Sequence, residues 1–290
     1  MLVFLNGRFV DSSEARVSVD DRGFLFADGV YEVVRVYDGR PFLMDSHMAR
    51  LRAGLAAIRI AGADVDALPG IADRLLDDNG LGAAEATIYI QVTRGQAPRA
   101  HAFPGAVEPT VYVATPPFRA QPAAYFEEGA AAVTVPDTRW SRCDIKSIAL
   151  LPNVLANQAA KERGAFEALF VRDGVLIEGS HSNLFGVRDG ELVTYPACNY
   201  ILDGITRRFV LALAEKEGIP VRLGALPVEE IDALEELFLS GTTTEVMPLT
   251  RVDDRPIADG RPGPITCRLR QAYLAHARPR QQAGAGGGDG

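Results

Sequence analysis

Short runs of alternating apolar and polar residues open the chain, and that period predicts strands. Leu2–Val10 reads as a hairpin, because Asn6-Gly7 suits a tight turn with positive φ at both central residues. Val30–Tyr37 reads as a strand that Asp38-Gly39 turns into Arg40–Leu43. A helical period then predicts a helix from Asp45, as N-cap, to about Ala61. Met48, Leu51, Leu55 and Ile58 form its apolar stripe, with Arg50 beside the stripe. Thr87–Thr93 and Thr110–Thr115 are β-branched and aromatic, as strands favour. On this pattern the first 120 residues hold one clear helix among strands, and the Pro-rich stretch from Pro116 to Pro122 reads as a linker.

The second region opens with a strand at Ala131–Val135 and turns helical from Pro152 to Gly164. Two hairpins follow, Ala168–Ile177 around Asp173-Gly174 and Asn183–Thr194 around Asp189-Gly190. A helix is predicted over Thr206–Glu217, closed by Gly218, then a buried strand at Glu236–Leu239 and a last helix over Pro264–Ala277. The segment from Gln281 to Gly290 is rich in Gly and Ala and reads as a disordered tail. Strands dominate and helices intervene irregularly, so the fold class is α+β, or mixed α/β.

Composition narrows the function. At 290 residues with 47% hydrophobic and 23% charged residues, the chain reads as a globular protein of two domains. The net charge of -8, without a basic run, argues against nucleic acid or an anionic membrane as partner. No apolar run reaches the roughly 18 residues that span a bilayer, and the N-terminus lacks the basic lead of a secretion signal. Cys143, Cys198 and Cys267 are odd in number and widely spaced, which suggests neither a disulfide framework nor a metal site, and a cytoplasmic protein is the simplest reading.

Lysine chemistry has few candidates, because only Lys146, Lys161 and Lys216 occur. Lys161 and Lys216 are flanked by charges on helix faces and read as solvated. Lys146 is followed at once by apolar residues. Loss of hydration there favours the neutral amine that Schiff-base chemistry requires, although a lysine snorkelling beside a core strand fits the same pattern. Glu178 ends an apolar strand before a glycine, where a carboxylate faces either a cleft or solvent. Gly204-Ile-Thr-Arg207 opens a helix and Ser240–Thr244 is a Gly/Thr turn; both supply N–H and hydroxyl donors of the kind that hold phosphate. Neither is a P-loop, and no dinucleotide fingerprint follows a strand. Arg99 and His101, two apart, would share one side of an extended loop and could bind a carboxylate, or simply be exposed. A protein that binds a phosphate ligand without catalysis would use the same donors and not need Lys146.

Taken together, these segments resemble the fold-type IV pyridoxal 5'-phosphate (PLP) enzymes, and within them the D-amino-acid aminotransferases. The resemblance rests on Asp21-Arg-Gly-Phe, Asp28–Val34, His47 with Arg50-Leu51, Val92–Gly95 with Pro98–His101, Arg142–Ser147, Glu178-Gly, Ser182-Asn183, Gly204–Arg207 and Thr242-Thr243. It implies a two-domain fold, with a smaller domain over 1–119, a larger one over 120–280 and the tail at 281–290. It further implies that Lys146 carries PLP as a Schiff base and serves as the catalytic base. Glu178 would pair with the pyridine nitrogen. Arg50, Ile205, Thr206 and Thr242 would hold the phosphate, and Leu202 would pack on the ring. Tyr31, Arg99 and His101 would grip the substrate α-carboxylate, the last two from a neighbouring subunit, which implies a homodimer. The implied reaction is ping-pong transamination between D-amino acids of the D-alanine type and 2-oxo acids such as 2-oxoglutarate and pyruvate. A branched-chain L-amino-acid aminotransferase and an aminodeoxychorismate lyase are the alternatives on the same fold, and the Pro98–His101 loop argues against both. Ala149 departs from the family's pattern, where asparagine is common, as do His181 and Gly241, where serines are frequent.

Overall fold

Short-range turn chemistry sets the first sheet. Asn6 and Gly7 both adopt positive φ, as the tight turn requires, and join β1 (Leu2–Leu5) to β2 (Arg8–Asp11) in antiparallel register. The computed structural model describes residues 1–278; the expected disordered tail at 281–290 lies outside the described residues. With β3 (Gly29–Tyr37), β4 (Arg40–Pro41), β5 (Ala86–Thr93) and β6 (Thr110–Ala114), the first two strands form a six-stranded antiparallel sheet in the order β2-β1-β6-β5-β3-β4. Three helices belong to this region: α1 (Arg22–Phe26), α2 (Met44–Ala57) and α3 (Leu68–Asp78). Helices α2 and α3 pack Met48, Leu51, Leu55, Leu68, Leu75 and Leu76 on Val34, Ile88 and Ile90 of the sheet.

Two local expectations are corrected here. The N-cap of α2 is Leu43, in the left-handed region at φ 58, and Asp45 lies inside the first turn. The helix also ends at Ala57 rather than near Ala61, because Arg59 takes φ 61 and breaks the period. Helices α1 and α3 are additions to the sequence pattern. Pro69 and Gly70 at the start of α3 mask its stripe of Leu68, Ala72, Leu75 and Leu76.

The second sheet is larger. Its strands are β7 (Ala130–Pro136), β8 (Glu167–Arg172), β9 (Val175–Gly179), β10 (Asn183–Arg188), β11 (Glu191–Thr194), β12 (Val221–Leu223), β13 (Leu226–Pro227), β14 (Glu236–Gly241), β15 (Glu245–Val252) and β16 (Arg255–Pro256). The path β10-β14-β15-β7-β8-β9 returns to β10 through the Asn183–Glu178 pair, which closes these strands into a barrel. Closure leaves no free edge along this path and brings two polar residues face to face at the seam. Four helices accompany the barrel: α4 (Ala124–Glu127), α5 (Leu151–Glu162), α6 (Ile205–Lys216) and α7 (Pro264–Ala277). The apolar faces of α6 and α7, with Val210, Leu213, Leu269 and Tyr273, pack on Phe185, Phe238 and Val246.

The two sheets meet through named residues. Ile145, from the second region, is buried in the core of the first sheet. Tyr37, from the first, donates to Glu245 at 2.9 Å and lies 3.1 Å from the Tyr273 hydroxyl, inside the core beneath α7. A cleft lined from both regions lies beside Ile145.

Candidate active site

The cleft is a cavity of about 340 Å³, within the range of roughly 300–1,000 Å³ typical of small-molecule sites. Lys146 reaches it from an irregular segment clipped to β3. Tyr31 N–H donates to the Lys146 carbonyl at 3.0 Å, Ile148 N–H donates to Gly29 at 3.1 Å, and Val30 bridges Ser147. The side chain is half-buried, with Nζ 4.3 Å from the centroid of the Tyr31 ring. Lys161 and Lys216 are exposed, on α5 and α6.

Glu178 lines the same cavity, where β9 meets β10 at the barrel seam. It is buried, not the solvent-facing acid that a strand end also allows. Its Oε2 accepts from Asn183 Nδ2 at 2.9 Å and from Leu202 N–H at 3.1 Å, and its Oε1 accepts from Arg139. Burial dominates and pushes its carboxyl up to about 7, with Arg139 limiting the rise. Arg139 is itself gripped by Asp137, whose two oxygens accept from Nε at 2.9 Å and Nη2 at 3.0 Å. Burial opposes the Arg139 charge, but Asp137 and Glu178 outweigh it and raise its pKa. Arg139 and Asp137 are missing from the sequence reading. Their only signal is an Asp-x-Arg spacing at the end of a strand, and nothing local ties it to Glu178, 39 residues on.

The far end of the cavity gathers donors. Helix α6 begins at Gly204 without a side-chain cap, so the N–H groups of Ile205 and Thr206 are free to bind an anion. Gly204 is required there, because a Cβ would meet Asn183 Oδ1 at 2.1 Å. Thr242 sits in the turn between β14 and β15, and Ser240 beside it has a buried hydroxyl with no partner among the described residues. Arg50 enters from α2, fixed by bidentate donation to Glu32 at 2.7 and 2.9 Å. Burial of Glu32 works against its charge, yet Arg50 and His47 hold its carboxyl at about 2. Burial lowers the pKa of the His47 imidazole, 2.7 Å from Glu32, and the Glu32 carboxylate opposes that shift. In the sequence His47 stands only as part of a motif, and nothing there marks Glu32 as its partner.

Eight of the ten expected site residues line this one cavity: Lys146, Glu178, Arg50, Leu202, Ile205, Thr206, Thr242 and Tyr31. So do Ala149, His181 and Gly241, the positions that depart from the family's pattern. Arg99 and His101 do not line it. They lie exposed on the loop after β5, both against the Phe26 ring, with Arg99 Cζ at 5.2 Å and the His101 ring at 5.5 Å from its centroid.

These residues fit PLP. A buried carboxyl that is costly to ionise alone is matched by a ring N–H, the orphaned Ser240 hydroxyl and uncapped helix start suit a phosphate, and the Lys146 amine lines the same cavity.

The sequence profile of the family described as "Amino-transferase class IV" matches residues 29–252. The chain is 40% identical over 273 residues to a D-alanine aminotransferase of Staphylococcus epidermidis, covering 93% of this chain and 96% of that relative. It is 41% identical to the D-alanine aminotransferase of Bacillus licheniformis, covering 94% and 95%. Among solved structures it resembles an Escherichia coli branched-chain amino acid aminotransferase, at TM-score 0.89 and 28% identity over 98% of this chain and 97% of that one. It also resembles the T.th. branched-chain amino acid aminotransferase solved with pyridoxamine 5'-phosphate, at TM-score 0.87 and 28% identity over 97% and 95%.

Proposed function

The chain belongs to the class IV aminotransferases and is a PLP-dependent transaminase; on that footing we propose that it interconverts D-amino acids, of the D-alanine type, and 2-oxo acids such as 2-oxoglutarate and pyruvate. The reaction runs in two half-reactions: a D-amino acid leaves as its 2-oxo acid, and a second 2-oxo acid leaves as a D-amino acid. The observation that carries this reading is the convergence of Lys146, Glu178 and the uncapped start of α6 on one cavity.

Each residue has a separate task. Arg50, the Ile205 and Thr206 N–H groups and the Thr206 and Thr242 hydroxyls would hold the phosphate, and Leu202 would pack against the ring. Glu178, its carboxylate fixed by Arg139 and Asn183, would pair with the ring nitrogen and keep it protonated. When bound, PLP supplies an aldehyde that condenses with amines and a ring that accepts the electron pair of the substrate Cα–H bond. The Lys146 amine would anchor the cofactor and is the base that would take the proton from the substrate α-carbon. Tyr31 contacts the substrate α-carboxylate.

Arg99 and His101 complete that contact from a second copy of the chain. They are absent from the cavity of their own subunit, and α5 presents Leu151, Val154 and Leu155 exposed on one face. An apolar patch of this kind is suited to burial between two subunits. Fixing the carboxylate at one edge sets which face of the substrate carries the α-hydrogen and so selects the D form. We further propose the domain division at residues 119/120, each part built on its own sheet. The three cysteines are free and no helix among the described residues is long and apolar enough to cross a membrane, which agrees with a cytoplasmic enzyme.

The shape likeness to branched-chain enzymes favours one second reading, transamination of branched-chain L-amino acids. A paired donor panel with 2-oxoglutarate separates the two. Turnover of D-alanine with no turnover of L-leucine is the expected result, and the reverse would overturn the proposal.

A further inference from the structure

The loop that carries Arg99 and His101 has no strand or helix of its own, yet its backbone is held at three consecutive carbonyls by one side chain. Arg22, buried on α1, donates from Nη1 to Ala100 at 2.6 Å and to Ala102 at 3.4 Å, and from Nη2 to His101 at 3.5 Å. Its Nε donates to Asp28 at 2.8 Å. Asp28 also accepts from Arg94 at 2.7 and 2.9 Å, and Arg94 reaches on to the carbonyls of Ile58 and Arg59 at 2.7 and 2.9 Å. Burial disfavours the Asp28 charge, but Arg94 and Arg22 outweigh it and hold its carboxyl below the usual range. The base of the device is equally fixed. Asp21 caps α1 through the Gly23 N–H at 2.8 Å and accepts from Thr93 at 3.0 Å and Thr110 at 2.6 Å, which frame the two ends of the loop. Phe26, on the last turn of α1, then backs both Arg99 and His101.

We propose that Arg22 is a positioning residue for substrate binding: it shapes the 98–103 loop inside its own subunit, so that Arg99 and His101 are set before they reach the neighbouring active site. This rests on the reading that those two side chains bind the substrate carboxylate. A loop ordered only on substrate binding would lose affinity to the entropy of ordering two long side chains and their backbone. Arginine is needed because one planar fork must serve a carboxylate and several carbonyls at once, and the compact lysine ammonium cannot span them.

The experiment uses the PLP-loaded enzyme and four forms: wild type, Arg22→Lys, Arg99→Ala and the double variant. The conservative Arg22→Lys should raise the KM for D-alanine about tenfold and change kcat by less than about threefold. PLP affinity, read by absorbance titration, and dimer mass, read by light scattering, should stay at wild-type values. The double variant should show a loss smaller than the product of the two single losses, because Arg22 acts through Arg99 and His101 and only the His101 part remains once Arg99 is gone. Phe26→Leu, which spares the buried charges, should raise KM in the same way and serves if Arg22→Lys does not fold. Multiplying effects in the double variant, or an unchanged KM in Arg22→Lys and Phe26→Leu while Arg99→Ala raises it, would overturn the inference and leave the substrate role of the loop standing. An unchanged KM in Arg99→Ala would remove that role, and the inference with it.

Discussion

On the proposed function, the cofactor cradle and the 98–103 loop solve the same problem, holding polar groups ready for a ligand, by different means. In the cradle, β9, β10, α6 and the β14–β15 turn converge at the barrel seam, and Glu178 and Arg50 each have a partner from a distant part of the chain. The loop has three of its carbonyls gripped by one buried arginine and leaves Arg99 and His101 exposed. The cavity residues all come from one chain, whereas the role proposed for the loop requires a second copy. On the proposed function, groups that must be right for the chemistry are preorganised by the fold, while substrate recognition falls to an element at the surface.

The largest effect should come from the centre of the cradle. Lys146→Ala should lower kcat by more than about 1,000-fold, and borohydride reduction should label Lys146 in the wild type alone. Retained activity in the variant would dissolve the distinction, since no other cavity residue offers a free amine. Next is the loop. Arg99→Ala should raise the D-alanine KM by about 10- to 100-fold. If the loop acts across subunits, mixing inactive Lys146→Ala with Arg99→Ala chains should restore up to about a quarter of wild-type activity, because half of a random mixture pairs unlike chains and each such dimer has one intact site. No recovery on mixing, with dimers shown to exchange, would place the loop in its own subunit's site.

A smaller effect concerns the buried charge. The carboxyl of Glu178 is raised to about 7 in the folded, cofactor-free chain, above its ordinary 4.5. The folded state thus favours the protonated form, and this group's contribution to stability is full below about 4.5 and lost as pH rises through 7. Cofactor-free wild type should lose at least about 3 °C of Tm relative to Glu178→Gln between about pH 5 and pH 8. Parallel Tm curves for the two would show that Arg139 fully offsets the burial. The smallest effect lies outside both regions: Lys161→Ala and Lys216→Ala should leave kcat/KM within about twofold of wild type.

The chain's local chemistry accounts for much of this. Asn6-Gly7, Asp173-Gly174 and Asp189-Gly190 mark turns that the backbone adopts with positive φ, because the preference belongs to the residues themselves. Helices α5, α6 and α7 carry their own apolar period, Gly218 ends α6 by a local rule, and the ordered set of motifs around Lys146 and Glu178 points to the family. What needed the folded chain was everything set by distance in sequence. The Glu178–Asn183 seam depends on a barrel closing over β7–β15, the Arg139 and Glu32 pairings join residues 39 and 18 apart from their partners, and Arg22 grips carbonyls some 78 residues away. A side chain's type states which bonds it can make. Which partner it finds is decided by packing, because burial forces each polar group to be matched by whatever the tertiary structure brings within reach.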